Sequence, residues 1–258
     1  MKVTLTACTP DPVRQMYLAA KRCTTATLDV NEEVDREEME RVVRRCIKAG
    51  HLTVCEFATF NFHIEQITRS CSHQLVRHRH ASFCQQSQRM VKIGTEEDYK
   101  DIKLYLDNPQ TVSPLVPLKR IDKYFRANTI DVSSVCVSCL AWYLRMVQNG
   151  VPVEQARAVL PECTYTNLMM SVNFRELMHI YALRSCRKAE EEIRELVTHM
   201  AEVVTEIPAD GPFLFGFLKP KCFQCERCSE VKPCGVYTWG SSVSLIFSIT
   251  SLCSSDND

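Results

Sequence analysis

A run of thirteen residues, Arg77–Arg89, concentrates side chains that bind anions. It holds three arginines, two histidines and two serines, with no lysine or acidic residue among them. The planar guanidinium matches phosphate and carboxylate groups, and serine hydroxyls and backbone N–H groups donate to the remaining oxygen lone pairs. A solvated basic face would mix lysine with glutamate, so this composition indicates the wall of an anion-binding pocket.

A second set of reactive side chains lies near the C-terminus, where four cysteines follow at short spacing. The pattern C-x2-C-x2-C-x5-C comprises Cys222, Cys225, Cys228 and Cys234. Four close thiolates could bind Zn²⁺ or an iron–sulfur cluster. A paired zinc ribbon has a long loop between two C-x2-C pairs, which this spacing lacks. Plain reduced thiols are therefore the alternative, and the zinc content of the purified protein separates the two.

The residues before the arginine-rich run predict two helices. Asp11 followed by proline is an N-cap with proline at the first helical position, so we expect a helix to about Arg22. Asp35, with Glu38 three residues later, is a capping-box-like start for a second helix. That helix is expected to stop before Gly50.

The segment that leads into the run predicts a strand and then a helix. Apolar residues alternate with polar ones over positions 58 to 65, as in a strand with one buried face. A helical period follows from Gln66 to about Arg79. The spacing of Gln74, Arg77 and His78 would put these three side chains on one face at the end of this helix.

The second half of the chain predicts further helices around one strand. A strong helix over 132–149 ends at Gly150, and a short proline-bounded helix over 152–161 carries Arg157. Residues 164–172 favour a strand. Asn173 caps a long helix that runs to about Ile207 and is broken near Ser185. The mixed segment 95–129 gives no clear prediction.

Composition limits the class of protein. The chain has 258 residues, of which 45% are hydrophobic, and this supports a folded core rather than a disordered protein. Its formal net charge of zero argues against a general nucleic-acid coat, because such a coat needs a basic balance, but it does not exclude a local basic patch. No stretch is long and apolar enough to span a bilayer.

The termini and the cysteines indicate location and domain organisation. The N-terminus has no apolar export signal, so we expect a cytoplasmic protein whose fifteen cysteines are mostly reduced. The composition shifts sharply after residue 221. We therefore expect one domain over 1–221 and a cysteine-rich tail of unknown role over 222–258, of which 236–258 fits no pattern.

Four blocks of this sequence resemble the flavin-dependent thymidylate synthases. The RHRxxSxxxxSxR signature of that family is matched by Arg77-His78-Arg79, Ser82, Ser87 and Arg89. The other blocks are Gly50-His51-Leu52-Thr53 with Glu56, Gly150-Val151-Pro152 through Arg157 to Leu160-Pro161, and Asn173-Phe174-Arg175 with Leu183-Arg184. They agree with the family in order and spacing and span about residues 50 to 196, and the thirteen-residue signature is fairly specific.

The resemblance implies a fold and a reaction. The fold is α+β, a single domain with a central sheet flanked by long helices, assembled as a homotetramer whose active sites lie between subunits. The reaction methylates dUMP at C5 to give dTMP, with methylenetetrahydrofolate as carbon donor and FAD, reduced by NADPH, as hydride source. Reduced flavin and an arginine activate the pyrimidine in this family, so no protein nucleophile is needed. No GxGxxG is present, so sequence alone indicates no Rossmann cofactor site.

The resemblance also assigns roles to individual residues. Arg184 becomes the catalytic group, set against the uracil edge to stabilise developing negative charge; without the family spacing it would be an ordinary arginine on a charged helix. The implied dUMP-binding residues are Gln74, Arg77, Gln85, Gln86, Ser87, Gln88, Arg89, Arg157 and Arg184. The implied FAD-binding residues are Thr53, Arg77, His78, Arg79, Gln85, Asn173, Arg175 and His179. His51 either lines the approach of folate or nicotinamide, or caps the preceding helix.

The sequence departs from the family pattern at four positions, which keeps two alternatives open. Phe57 stands where the family often has histidine, and Lys188 stands where some members have a histidine. Cys84 replaces a residue that is commonly asparagine or serine, and Met90 replaces one that is commonly tyrosine. An inactive relative that has kept the fold is one alternative. The other is a nucleic-acid-binding module that uses the arginine-rich run and the terminal cysteines, with steeply salt-dependent binding.

Overall fold

A four-stranded antiparallel sheet lies at the centre of the computed structural model, which describes residues 1–107, 122–224 and 228–235. The strands are β1 (Lys2–Cys8), β2 (Thr59–Thr68), β3 (Ser82–Gln85) and β4 (Tyr165–Asn173). Their spatial order is β1-β2-β4-β3, so the two longest strands occupy the centre and the short signature strand β3 lies at one edge. The mixed helix-and-sheet architecture confirms the α+β prediction.

Helices surround this sheet. They are α1 (Pro12–Arg22), α2 (Arg36–Lys48), α3 (Arg69–Leu75), α4 (Glu96–Asp107), α5 (Ile130–Gln148), α6 (Val153–Ala156), α7 (Phe174–Arg184), α8 (Glu191–Thr205), α9 (Gly211–Phe215) and α10 (Lys221–Gln224). Two 3-10 helices cover Leu52–Phe57 and Arg157–Val159. None of the helices within the described residues is long and apolar enough to cross a membrane.

The alternating pattern of β2 builds the main core. Phe60, Phe62 and Ile64 are fully buried, as the sequence predicts, and α8 packs against β1 and α7. Burying apolar side chains in this way supplies most of the stabilisation of such a core. A second apolar cluster forms around α5, where Leu140 and Tyr143 pack with Phe125.

The predicted caps are confirmed. The Asp11, Asp35 and Asn173 side chains accept hydrogen bonds from the backbone N–H groups of Arg14, Glu37 and Glu176 respectively. Gly50 and Gly150 adopt φ values of +80° and +82°, a left-handed conformation that glycine reaches without steric cost. The predicted break near Ser185 is also confirmed, because α7 ends at Arg184 and α8 begins at Glu191.

The predicted helix from Gln66 to Arg79 is wrong at both ends. β2 continues to Thr68, because its last residues pair with the start of β4 beyond an irregularity at Gln66, whose φ is +56°. The helix α3 covers only Arg69–Leu75. Arg77 and His78 therefore follow the helix, and the predicted shared helical face does not exist.

The segment that gave no clear prediction contains α4 and its capping box. The Thr95 hydroxyl accepts from the Asp98 N–H at 3.2 Å, and the Asp98 carboxylate accepts from the Thr95 N–H at 2.8 Å. This T-x-x-D signal was present in the sequence. Residues 108–121 lie outside the described residues, as do Cys225 and the segment 236–258, so the boundary at 221/222 stays a prediction.

Candidate active site

Arg184 lies at the C-terminal end of α7, with its guanidinium held by two segments that come earlier in the chain. Its Nε donates to His78 Nε2 at 3.0 Å, and a terminal nitrogen donates to the Gln74 backbone carbonyl at 3.1 Å. The Gln74 side chain is turned elsewhere and donates to Glu190 at 3.2 Å. The structure thus brings three of the predicted site residues together, although Gln74 contributes its carbonyl.

His78 is a buried, neutral base in this cluster. Its side chain is 5% exposed, its Nδ1 lies 3.5 Å from Glu176 Oε1, and its ring meets that of His179 edge-on at 5.9 Å between centroids. Burial, followed by the positive charge of Arg184 and by His179, lowers the pKa of His78 from 6.5 to about 4. His78 is therefore uncharged at neutral pH and can accept a hydrogen bond from Arg184.

The candidate nucleotide segment continues along β3 into a cavity. The Gln85 side chain donates to Ser72 of α3 at 2.9 Å and to Thr166 of β4 at 3.2 Å, and is thereby fixed between the two elements. A cavity of about 410 Å³ follows, lined in part by Gln86, Ser87 and Gln88.

This cavity has the donors that an anion needs. Lys2, Lys92 and Lys123 lie in its wall, against one acidic residue, Glu65. The Gln88 Nε2 is buried and has no hydrogen-bond partner among the described residues. An unpaired buried donor is costly, so it marks a place where a ligand oxygen would be favourable.

Arg89 and Arg157, both predicted to bind dUMP, meet at one residue of α6. Arg89 Nε lies 3.4 Å from the Glu154 carboxylate, and Arg157 Nε donates to the Glu154 backbone carbonyl at 3.2 Å. The sequence reading did not single out Glu154. Sequence spacing could have placed Glu154 near Arg157, three residues later, whereas the contact of its carboxylate with Arg89 depends on the tertiary structure.

The remaining predicted FAD residues are exposed or make contacts within the protein. Arg175 pairs with Glu56 at 2.6 Å, which joins α7 to the 3-10 helix that carries Thr53. Thr53, Arg77, Arg79, Arg175 and His179 are all exposed. The Asn173 side-chain oxygen accepts a hydrogen bond from the Glu176 N–H and caps α7, so its observed contact stabilises the helix.

Among the described residues, one set of side chains has metal-ligating geometry. The ligand atoms of His78, Glu176 and His179 lie within 4.8 Å of one another. Cys222, Cys228 and Cys234 are half-buried free thiols, and with Cys225 outside the described residues a metal at the tail stays a prediction.

The departures at Phe57, Cys84 and Met90 all fall on exposed side chains, so none of them disturbs the core.

Comparison with known proteins gives concordant results. Residues 4–208 match the family model described as thymidylate synthase complementing protein. A flavin-dependent thymidylate synthase from Geobacter sulfurreducens is 32% identical over 243 residues, covering 90% of this chain and 97% of that protein. Another, from Sulfurisphaera tokodaii, is 35% identical over 235 residues, covering 90% of this chain and 83% of that protein.

Solved structures share the fold. A flavin-dependent thymidylate synthase from Helicobacter pylori, complexed with FAD and dUMP, superposes with a TM-score of 0.65 at 22% identity, covering 83% of this chain and 98% of that one. A second structure of the Helicobacter pylori enzyme with the same two ligands gives a TM-score of 0.66 at 23% identity, covering 85% and 100%.

Proposed function

Because the chain belongs to the thymidylate synthase complementing protein family, whose curated relatives are flavin-dependent thymidylate synthases, we propose that it converts dUMP to dTMP. Methylenetetrahydrofolate supplies the carbon, and FAD reduced by NADPH supplies the hydride. The family match favours this reaction over nucleic-acid binding.

The observation that carries the proposal is the fixed guanidinium of Arg184. Its hydrogen bonds to His78 and to the Gln74 carbonyl leave it half-buried at the end of α7. A cation that is already oriented needs no reorganisation when negative charge develops on the pyrimidine, and one such donor contributes roughly 10²- to 10³-fold in rate. Arg184 would therefore stabilise charge on the uracil ring, with no nucleophile from the protein.

The exposed donors among the predicted FAD residues fit that cofactor. Thr53, Arg77, Arg79 and Arg175 present exposed hydroxyl and guanidinium groups suited to a pyrophosphate, and the His179 ring meets the ring of His78, which binds Arg184. When bound there, FAD supplies the hydride that reduces the transferred carbon. The protein groups bind and orient it.

The dUMP phosphate would be held by the cavity beyond β3. Ser87 offers a hydroxyl and Gln88 an amide donor that has no partner among the described residues, and Lys92 adds a positive charge, whereas Lys123 is paired with Asp98. Arg89 and Arg157 are at present engaged with Glu154, so we expect them to exchange that contact for the phosphate of the substrate.

The chain would act as a homotetramer. α5 exposes Val135 and Trp142, which together with Val159 line an apolar surface depression. Contiguous exposed apolar side chains commonly mark protein interfaces. Sites completed between subunits would also explain why the candidate FAD residues are exposed in one protomer.

The direct test is the visible absorption spectrum of the purified protein under anaerobic conditions. We expect a flavin spectrum that bleaches with NADPH and returns only when dUMP and methylenetetrahydrofolate are both present. A colourless protein that cannot be reconstituted with FAD would contradict the proposal.

Arg184→Ala tests the catalytic assignment within the same assay. Turnover should fall roughly 10²- to 10³-fold, because the oriented cation is lost, while the fold and the flavin spectrum persist. Arg187→Ala, which removes an exposed arginine three residues further on, is the matched control and should retain turnover within about twofold. Undiminished turnover in Arg184→Ala would overturn the assignment.

A further inference from the structure

The hydrogen bond between Arg184 and His78 fixes the position of a proton. An arginine guanidinium only donates, so the His78 Nε2 that lies 3.0 Å from Arg184 Nε must be the acceptor. A neutral imidazole carries its single proton on the other nitrogen. His78 is therefore in the tautomer with the proton on Nδ1.

That Nδ1 proton faces a buried carboxylate. Glu176 Oε1 lies 3.5 Å from His78 Nδ1, and the side chains of His78 and Glu176 are 5% and 9% exposed. At this distance the contact is chiefly electrostatic rather than a short hydrogen bond. It favours the Nδ1–H tautomer, because the opposite tautomer would set a lone pair against the carboxylate and an N–H against the Arg184 donor.

A metal site is the competing interpretation of the same residues. His78, Glu176 and His179 have suitable ligand atoms within 4.8 Å of one another. However, His78 Nε2 is already the acceptor for Arg184, and Nδ1 carries the proton. A cation would also lie beside the positive guanidinium, which disfavours it. These three observations favour a chain of polar contacts over a metal.

We propose that Glu176 is a positioning residue for the reaction, which holds the tautomer of His78 so that His78 in turn orients the guanidinium of Arg184. The proposal rests on the proposed function, because it concerns the catalytic arginine of that reaction. Glu176 lies eight residues before Arg184 on the same helix. In this series of contacts, α7 therefore provides both Glu176 and Arg184, and the loop after α3 provides His78 between them.

The contact with His78 gives the Glu176 carboxylate a role that is separate from the cap of α7. The N–H of Glu176 is bonded to Asn173, so its backbone already completes the cap of α7, and its carboxylate is not needed there. A carboxylate that is buried without a cap role costs desolvation, which the His78 Nδ1–H beside it offsets.

The test compares two substitutions at one position. Glu176→Leu removes the acceptor, and kcat should fall roughly 10- to 100-fold, the cost typical of losing a group that orients a functional side chain. Glu176→Gln keeps a carbonyl acceptor for the Nδ1 proton, so it should restore kcat to within a few-fold of the wild type. The KM for dUMP should change less than kcat in both variants.

A double-mutant cycle separates positioning from general structural damage. If Glu176 acts only through His78, then adding Glu176→Leu to His78→Ala should change kcat by less than about twofold. Asp210→Leu, which removes a similarly buried carboxylate whose partners are Val13 and Arg36, away from the site, is the matched control and should leave kcat of the folded protein unchanged. Additive losses, or an equal loss in Asp210→Leu, would overturn the proposal.

A readout that does not depend on turnover covers the case of a variant that folds poorly. ¹⁵N NMR of histidine-labelled wild-type protein, with His78 assigned by its loss in His78→Ala, should show the Nδ1–H tautomer. The opposite tautomer in the wild type would overturn the proposal. Absence of any dUMP turnover in the wild type would instead contradict the proposed function, so the two failures are distinguishable.

Discussion

At the scale of single residues, the candidate site combines polar groups that have hydrogen-bond partners in the protein with a polar group that lacks one among the described residues. Arg184 has its hydrogen bonds within the protein, and it is therefore oriented before substrate binds. Gln88 is the opposite case, because its buried Nε2 lacks a partner among the described residues. Such a group costs stability in the free protein and is expected to regain it when a ligand oxygen arrives.

Gln88→Met should therefore separate stability from binding. Removal of an unpaired buried amide is expected to raise the free energy of unfolding by about 1 kcal/mol, while the KM for dUMP rises roughly tenfold. Urea unfolding and steady-state kinetics measure the two quantities. Gln224→Met, which alters a glutamine outside the cavity, is the control. A less stable variant with unchanged KM would show that Gln88 has only a structural role.

At the scale of elements, buried carboxylates fasten helices to the parts of the chain that position the site. Glu192 of α8 accepts from the Thr68 N–H at 2.8 Å and from the Thr68 hydroxyl at 2.5 Å, at the junction of β2 and α3. This junction sets where α3 begins. It therefore also sets the position of the Gln74 carbonyl that holds Arg184.

Asp98 is a second buried carboxylate of this kind, and it fastens α4 to a neighbouring segment. Burial alone would raise the pKa of Asp98. Hydrogen bonds from Thr95, Lys123 and Tyr124 outweigh burial and lower the pKa of this carboxyl from 3.8 to about 2. The capping box of α4 is thus tied to the residues at 123–124 that line the cavity.

The stability supplied by Asp98 should depend on pH. A carboxyl whose folded pKa is lowered contributes above its unfolded pKa, and this contribution is lost as pH falls from about 4 to about 2. We expect Asp98→Asn to lower the free energy of unfolding by about 2 kcal/mol at pH 7. The difference from the wild type, measured by urea unfolding, should shrink as the pH falls through that window. Asp29→Asn, on an exposed carboxylate, is the control, and a difference independent of pH would contradict the linkage.

At the scale of the whole molecule, the exposed face of α5 bears on assembly. Trp142 and Tyr143 are adjacent aromatic residues of an apolar helix, a sequence that is compatible with either a monomer core or an oligomer. The structure separates them, because Tyr143 is 1% exposed and packs in the second core cluster, whereas Trp142 is 57% exposed beside Arg145. Trp142 is therefore available to another subunit.

Trp142→Glu should weaken the proposed tetramer. A charge placed in an apolar contact is poorly tolerated, so the mass measured by light scattering is expected to fall toward that of a smaller species at low micromolar concentration. dUMP turnover should fall with it if the sites lie between subunits. Val30→Glu, on an exposed valine away from α5, should leave the mass unchanged, and a wild-type monomer would contradict the proposed assembly.

The sequence by itself determined the features that depend on neighbouring residues. The caps at Asp11, Asp35 and Asn173, the helix ends at Gly50 and Gly150, and the buried face of β2 follow from local hydrogen bonding and from periodicity, and all are confirmed. The signature motifs also identified the family, because their fixed residues reflect one shared chemistry.

Only the tertiary structure decided what depends on distant segments. β2 extends to Thr68 because it pairs with β4 about a hundred residues later in the chain, a gain that no local helical period reports. Arg184 meets His78 across 106 residues, and Glu154 meets Arg89, because long-range packing places α6, α7 and the loop after α3. Side-chain spacing shows which residues can share an element, whereas contacts between elements are fixed by the burial of the whole core.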